Sequence, residues 1–221
     1  TTWTDRIATK QVQNFESENP DIIYLTGINQ QHTGIEIELA AQVHEMVRLD
    51  VGVGFGSWKY TDDASGTYRD DENDVEYAYA LKDLSVGDMP QRNLALGITI
   101  TPIDGLRIQP LYRYYDKNIA DWNPTSREYD PADGHSYSSE IYQAPSYGVL
   151  DLHVNYDLPI EFGPAKPSVF LHVFNALDAT YIQDAVHNSN YNAWDGNGGA
   201  DDAEVYFGLP ASMNVGLNIN F

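Results

Sequence analysis

The chain has 221 residues, and 12 Lys and Arg against 33 Asp and Glu give it a formal charge of −21; a polyanion is repelled within the ~8–10 Å screening length, which argues against nucleic acid as a partner. There is no cysteine, so disulfides and thiolate metal sites are excluded, and no stretch approaches the roughly 18 uninterrupted apolar residues of a helical membrane span. The length admits one sizeable β domain or two small ones and excludes a mini-protein.

In chain order the dominant signal is alternation with period two, which sends successive side chains to opposite faces of a strand. The chain opens in strand pattern at Thr1 with no basic, apolar leader, so a mature or truncated product lacking an upstream part is expected. Ile35, Ile37, Leu39, Ala41 and Val43 then alternate with Glu36, Glu38, Ala40 and Gln42. Val47, Leu49, Val51, Val53 and Phe55 alternate with Arg48, Asp50, Gly52 and Gly54. The same split recurs around Leu94 to Ile100, Leu106 to Tyr115 and Leu150 to Tyr156, and most cleanly from Met213 to Phe221. Pro110 is awkward for an interior strand, because proline has no N–H for the ladder. Strands are predicted near 1–8, 22–43, 47–60, 91–102, 105–118, 147–157, 167–176 and 211–221.

The links between these strands alternate in length. Short ones cover 44–46, 102–104 and the Pro-rich 158–166; long ones cover 8–21, 61–90, 120–146 and 177–210. A soluble sandwich has no reason to gather every long loop at one end, whereas an outer-membrane barrel pairs short periplasmic turns with long outward loops. Burying the charges of the polar rows in a dry core would cost several kcal/mol each unless paired. A wide, wet lumen avoids that cost, and barrels of about 22 strands have one. The predicted fold is therefore all-β: a transmembrane antiparallel barrel, with about eight strands forming an arc of a larger cylinder. Sixteen Tyr and four Trp suit the aromatic rims of such a barrel. Two rivals stand beside it: a complete eight-stranded barrel with binding or adhesive loops, and a soluble calcium-dependent β-sandwich binding module.

The final run Asn214-Val215-Gly216-Leu217-Asn218-Ile219-Asn220-Phe221 resembles the carboxy-terminal signal read by the barrel assembly machinery, through Asn214, Gly216, Ile219 and the terminal aromatic Phe221. Further upstream, Gly34-Ile35-Glu36-Ile37-Glu38-Leu39, Val86-Gly87-Asp88-Met89-Pro90, Pro145-Ser146-Tyr147-Gly148-Val149-Leu150-Asp151-Leu152-His153 and Val173-Phe174-Asn175-Ala176-Leu177-Asp178 with Tyr181 resemble TonB-dependent receptors of Bacteroidota-like bacteria. Ala176-Leu177 departs mildly from the usual Asn-Leu-Phe-Asp exit. The resemblance spans residues 1–221 and implies the carboxy-terminal part of a receptor barrel in a Gram-negative outer membrane. It implies TonB-energised uptake of a large scarce nutrient such as a ferric siderophore, a cobalamin-like compound or a glycan. Nothing resembles the amino-terminal plug or the TonB-contacting box, so the missing barrel and plug segment, and TonB through it, are expected partners beside the lipid bilayer.

Candidate ligand contacts are the aromatics Trp122, Tyr129, Tyr137, Tyr191 and Trp194, against rim girdle or loop packing. His153 and His172 can line a lumen and touch a ferric chelate, or simply hydrogen-bond to a neighbour. Asp195, Asn197, Asp201 and Asp202 are oxygen ligands of the kind that hold calcium, on a glycine-rich loop whose spacing does not match the twelve-residue calcium loop; a solvated acidic loop is the alternative. No other cofactor is expected. Carboxylates abound without a nucleophile motif or phosphate loop, so no enzyme is expected.

Overall fold

The computed structural model describes residues 1–12, 21–70, 73–124, 127–129, 141–160, 163–187 and 203–220, most of them in strands. The wall opens with β1 (Thr2–Val12), β2 (Asp21–His44) and β3 (Val47–Tyr60), after which β4 (Ala64–Asp70) and β5 (Asn73–Tyr79) form a hairpin. The chain returns to the wall in β6 (Pro90–Ile103) and β7 (Leu106–Ile119), then passes through the short β8 (Asp121–Trp122), β9 (Glu128–Tyr129) and β10 (Gln143–Ala144). β11 (Tyr147–Asp157) and β12 (Lys166–Phe174) are wall strands, β13 (Ile182–His187) and β14 (Ala203–Phe207) lie in the next connection, and β15 (Ser212–Asn220) is the last wall strand.

Eight long strands lie side by side as a meander, β1-β2-β3-β6-β7-β11-β12-β15, each antiparallel to its neighbour. Register carries each apolar row across the whole wall. Ile37 stands opposite Val53, Val53 opposite Leu94, Leu94 opposite Tyr114, and farther along Leu152 opposite Val173 and Val173 opposite Met213. A one-residue slip anywhere would throw an apolar row onto the charged face. Among the described residues no second sheet covers the apolar face: Ile37, Val215 and Leu217 are 59%, 77% and 59% exposed. A sandwich would bury them, so the soluble-sandwich rival is corrected. The complete eight-stranded barrel is corrected too, because β1 pairs with β2 and β15 with β12, and no pairing joins β1 to β15 among the described residues.

Pro110 sits inside the wall, opposite Leu152 of β11, and on its other side the pairing with β6 lapses between Gly97–Leu111 and Ile100–Ile108. The strand tolerates a residue without an N–H by dropping the ladder there.

Two predicted features differ. β1 runs to Val12 rather than ending near residue 8, and three of the four long connections carry short strands of their own. β4 joins the upper part of β2, β5 pairs with β4 and β9, and β13 pairs with β14 and, in parallel, with β8. These segments alternate too weakly to announce themselves, and their pairing partners are supplied by the fold. Together with upper β2 they enclose a dry cluster of Ile23, Leu25, Ile28, Tyr60, Ala64, Tyr79, Leu81, Leu84 and Trp122. Gly27 makes that possible. Its φ of +70° leaves no close neighbour for a side chain, so its service is conformational, and the register slips between Arg6–Ile28 and Ala8–Leu25. Such a bulge swaps the faces of the strand: below it Ile35 and Ile37 point to the apolar face, above it Leu25 and Ile23 turn into the cluster.

Candidate functional site

The polar face of the wall carries the chemistry. One lateral row can be followed strand by strand: Glu36 faces Gly54, Gly54 faces Asn93, Asn93 faces Tyr115, and Tyr115 faces Tyr147. Tyr115 and Tyr147 have ring centroids 5.2 Å apart, and Tyr181 stacks on Tyr147 at 4.4 Å. At the other end of the belt Trp3, His32 and Trp58 stack across β1, β2 and β3, at 4.9 and 5.3 Å, with the Arg6 guanidinium 4.2 Å over Trp3. Between the stacks is a cavity of ≈ 480 Å³ whose rim includes His32, Trp58, Gln91, Asn93 and Glu36. Gly34, Gly54 and Gly56 line it. A Cβ on Gly54 would come within 2.8 Å of the Asn93 amide, and one on Gly56 within 2.9 Å of the Trp58 indole. The bare glycines thus let Asn93 and Trp58 lie close to the sheet and keep the cavity open.

The strand-to-loop junctions are tied by buried polar groups. Asp151 is 3% exposed; it forms an ion pair with Arg113 and accepts the Asn175 N–H at 2.9 Å. Asn175, at φ 49°, accepts the Ala179 N–H and donates its amide to the carbonyls of Ala179 and Leu209, while Asp178 accepts the Ala211 N–H. In Val86-Gly87-Asp88, a Cβ on Gly87 would collide with the Ala120 carbonyl, and the Asp88 N–H donates to Ile119. Partial burial, then the charge of Asp121, pushes the Asp88 carboxyl above its ordinary pKa. These junctions are the segments that carried the resemblance, and their residues act as structural knots.

Trp122 does not face solvent. It is 2% exposed in the dry cluster, donates its indole N–H to the Tyr60 hydroxyl at 3.2 Å and lies under the Lys10 ammonium, which also pairs with Asp121. As a ligand contact it is corrected to loop packing, because a large ring beside Tyr79, Leu25 and Leu81 gains more from that dry contact than from water. Tyr129 is half-buried and donates to Asp63 at 2.9 Å; Asp63 also accepts the N–H groups of Leu81 and Lys82. His153 and His172 are brought together on the polar face with their Nδ1 atoms 2.7 Å apart. Of the assembly-signal residues, Asn214 and Gly216 lie on the polar face and Ile219 on the apolar face, with the Phe170 ring folded over Gly216. Tyr137, Tyr191, Trp194, Asp195, Asn197, Asp201, Asp202 and Phe221 lie outside the described residues. Among the described residues no group of three or more His, Asp or Glu comes together as a metal cage.

The belt aromatics Trp3, His32, Trp58, Tyr115, Tyr147 and Tyr181 were missing from the candidates read in sequence. The usable signal was an aromatic ring standing in the wet row of an alternating strand, as Trp58 does in line with Arg48, Asp50 and Gly52.

No curated protein is similar enough to the chain to count as a match. The family model described as TonB dependent receptor-like, beta-barrel, matches residues 1–176, which takes in the wall from β1 through β12. That is a family of Gram-negative outer-membrane receptors with a transport role. With a two-faced antiparallel wall, an apolar face left uncovered by the described residues and a polar face lined by a belt of rings and amides, the chain belongs to the TonB-dependent receptor β-barrel family.

Proposed function

We propose that this chain is wall and vestibule of a receptor that takes up a large, scarce nutrient with energy delivered by TonB, the plug and the TonB contact lying elsewhere in the receptor. The observation that carries the proposal is the belt on the polar face, where rings, amides and a carboxylate converge on a glycine-lined cavity. Concave sites with aromatic walls and a few convergent polar groups are the usual places for a ligand. The cavity rim holds Glu36 and neither Lys nor Arg. With the Glu36 carboxylate on the rim and the Arg6 guanidinium at the Trp3 end of the belt, a strongly anionic ferric siderophore meets little net positive charge, and a neutral cargo such as a glycan or a cobalamin-like compound is favoured. The free side of β15, with Asn214, Gly216 and Ile219 in register on β12, is the edge we assign to the barrel assembly machinery, since an unpaired strand edge is a template for a partner strand.

The test is uptake. Cells making the intact receptor are offered a labelled ferric siderophore, cobalamin and an oligosaccharide in parallel, with and without TonB. The expected result is TonB-dependent accumulation of a neutral cargo, lowered about tenfold or more when Asn93→Ala and Tyr147→Ala are combined in protein that still reaches the outer membrane. Accumulation indifferent to TonB would remove the transport reading; accumulation indifferent to the double variant would remove the belt from it.

A further inference from the structure

The wall holds one constellation that uptake does not use. His153 on β11 and His172 on β12 are directly opposed across the ladder, Nδ1 to Nδ1 at 2.7 Å, with ring centroids 4.9 Å apart. That centroid separation is nearly the N···N distance plus two ring radii, so the facing lone-pair directions lie close to one line. One imidazole donates through Nδ1–H and the other accepts, which fixes opposite tautomers on the two rings. Neither Nε2 has a protein partner among the described residues. The pair is flanked in the same row by Gln109, opposite His153, and Asn214, opposite His172. Gln109 donates its amide N–H to Thr99 at 3.0 Å, which turns its carbonyl oxygen away from that bond. Phe170 and Phe174 pack beside the imidazoles and stiffen them. Nearby Asp151 is already committed to Arg113 and the Asn175 N–H.

We propose that His153 and His172 form a two-imidazole site for Cu(II) or Ni(II) on the polar face of the wall. The ligand type names the metal, since imidazole suits copper and nickel. Two nitrogens in adjacent positions of a tetragonal complex with ~2.0 Å bonds stand about 2.8 Å apart, whereas tetrahedral zinc separates its nitrogens by about 3.3 Å. The observed 2.7 Å is the length of the hydrogen bond; both rings rotate so that the lone pairs converge on an ion, and the opposed register of β11 and β12 keeps them within reach of it. The donor imidazole moves its proton from Nδ1 to the open Nε2, so the neutral pair takes up the ion without net proton release. Water and the carbonyl oxygens of Gln109 or Asn214 fill the remaining positions. Copper binds more tightly than nickel and nickel more tightly than zinc in tetragonal imidazole sites. Acid weakens all three, because each protonated ring loses its ligand lone pair. The proposal needs only the register of β11 and β12 and stands apart from the identity of the cargo.

The intact receptor in detergent micelles, stripped of metal, is titrated with Cu(II) at neutral pH and followed by calorimetry and electron paramagnetic resonance. One copper per chain is expected, with micromolar affinity and hyperfine structure from two nitrogens. His153→Gln and His172→Gln should each weaken binding by more than the ~10–100-fold that outer-shell changes cost, and His44→Gln, at the exposed end of β2, should change nothing. A one-nitrogen signal in the wild-type protein overturns the site without any variant needing to fold. So does a two-nitrogen signal that survives in the folded double variant, or no stoichiometric copper at all.

Discussion

The wall and the cap of short strands above it use the same residue types in opposite ways. In the wall, Val215 and Leu217 are left more than half exposed on a continuous apolar face, and nothing among the described residues covers them. In the cap, Leu25, Tyr79, Leu81 and Leu84 are wholly buried against one another and Trp122. The cap folds by the ordinary rule of removing apolar area from water, at about 25 cal/mol per Å². The wall leaves that burial to lipid and uses the chain for hydrogen bonding, which is the requirement a bilayer imposes on any spanning strand. β2 crosses from one regime to the other: at 24 residues it is more than twice the 9–11 needed to cross the hydrocarbon, and Gly27 marks where its faces exchange.

Trp122→Ala should separate the two regions most sharply. Truncating a large buried ring costs about 3–5 kcal/mol, and it also takes the indole N–H from the Tyr60 hydroxyl and the ring face from the Lys10 ammonium. The expected outcome is rapid protease cleavage between residues 61 and 90 while the wall strands remain resistant and the spectroscopic β content is kept. Loss of the wall along with the cap would show that the two regions fold as one unit.

Val215→Arg and its neighbour Asn214→Arg probe the wall by the same logic, two adjacent positions on opposite faces of β15. On the lipid side, an Arg deep in the bilayer costs about 2–4 kcal/mol, and on the wet side under about 1 kcal/mol. Denaturant titration of protein refolded into lipid vesicles reads the difference. Equal costs at the two positions would mean that the apolar row does not face lipid.

Most of the wall was legible in the residues, because period two carries both the strand and its faces: the rows Ile35 to Val43 and Met213 to Ile219 read correctly down to which side each residue takes. The cap was not. Its strands alternate weakly, and Tyr77 and Tyr79 become core residues only because upper β2 and Trp122 are brought against them. The candidate site was legible in part. His153 and His172 stood out singly, but that they face each other depends on the offset set by the link from 158 to 166, which no motif states. The belt escaped because Trp58 and Tyr147 look like rim aromatics until register sets Trp58 opposite His32 and Tyr147 in the row of Gly54 and Asn93.

The smallest effect comes from Asp88, at the seam between wall and cap. Burial, followed by the charge of Asp121 and that of Asp184, raises its pKa, with Lys10 opposing. A carboxyl whose pKa is raised on folding holds its proton more tightly in the folded cap than in the unfolded one. Its ionisation therefore destabilises the cap fully above the folded pKa, and that penalty fades as pH falls through the folded value and is gone below the unfolded one. Asp62 works in the opposite sense: hydrogen bonds from Thr61 and Asn29 lower its pKa, so its contribution is lost on acidification and the raw pH profile mixes the two. Asp88→Asn isolates the first. Asparagine tolerates the φ of +67° at this position as well as aspartate does, so backbone strain does not confuse the comparison. The variant should gain under about 1 kcal/mol at neutral pH, since the half-exposed carboxyl is partly screened by water. That gain should shrink toward zero as pH falls into the carboxylate range, read as the ratio of cleavage rates in the cap of variant and wild type. A gain that stays constant with pH would locate the effect in the hydrogen bonding of the turn, and the seam would then be neutral to charge.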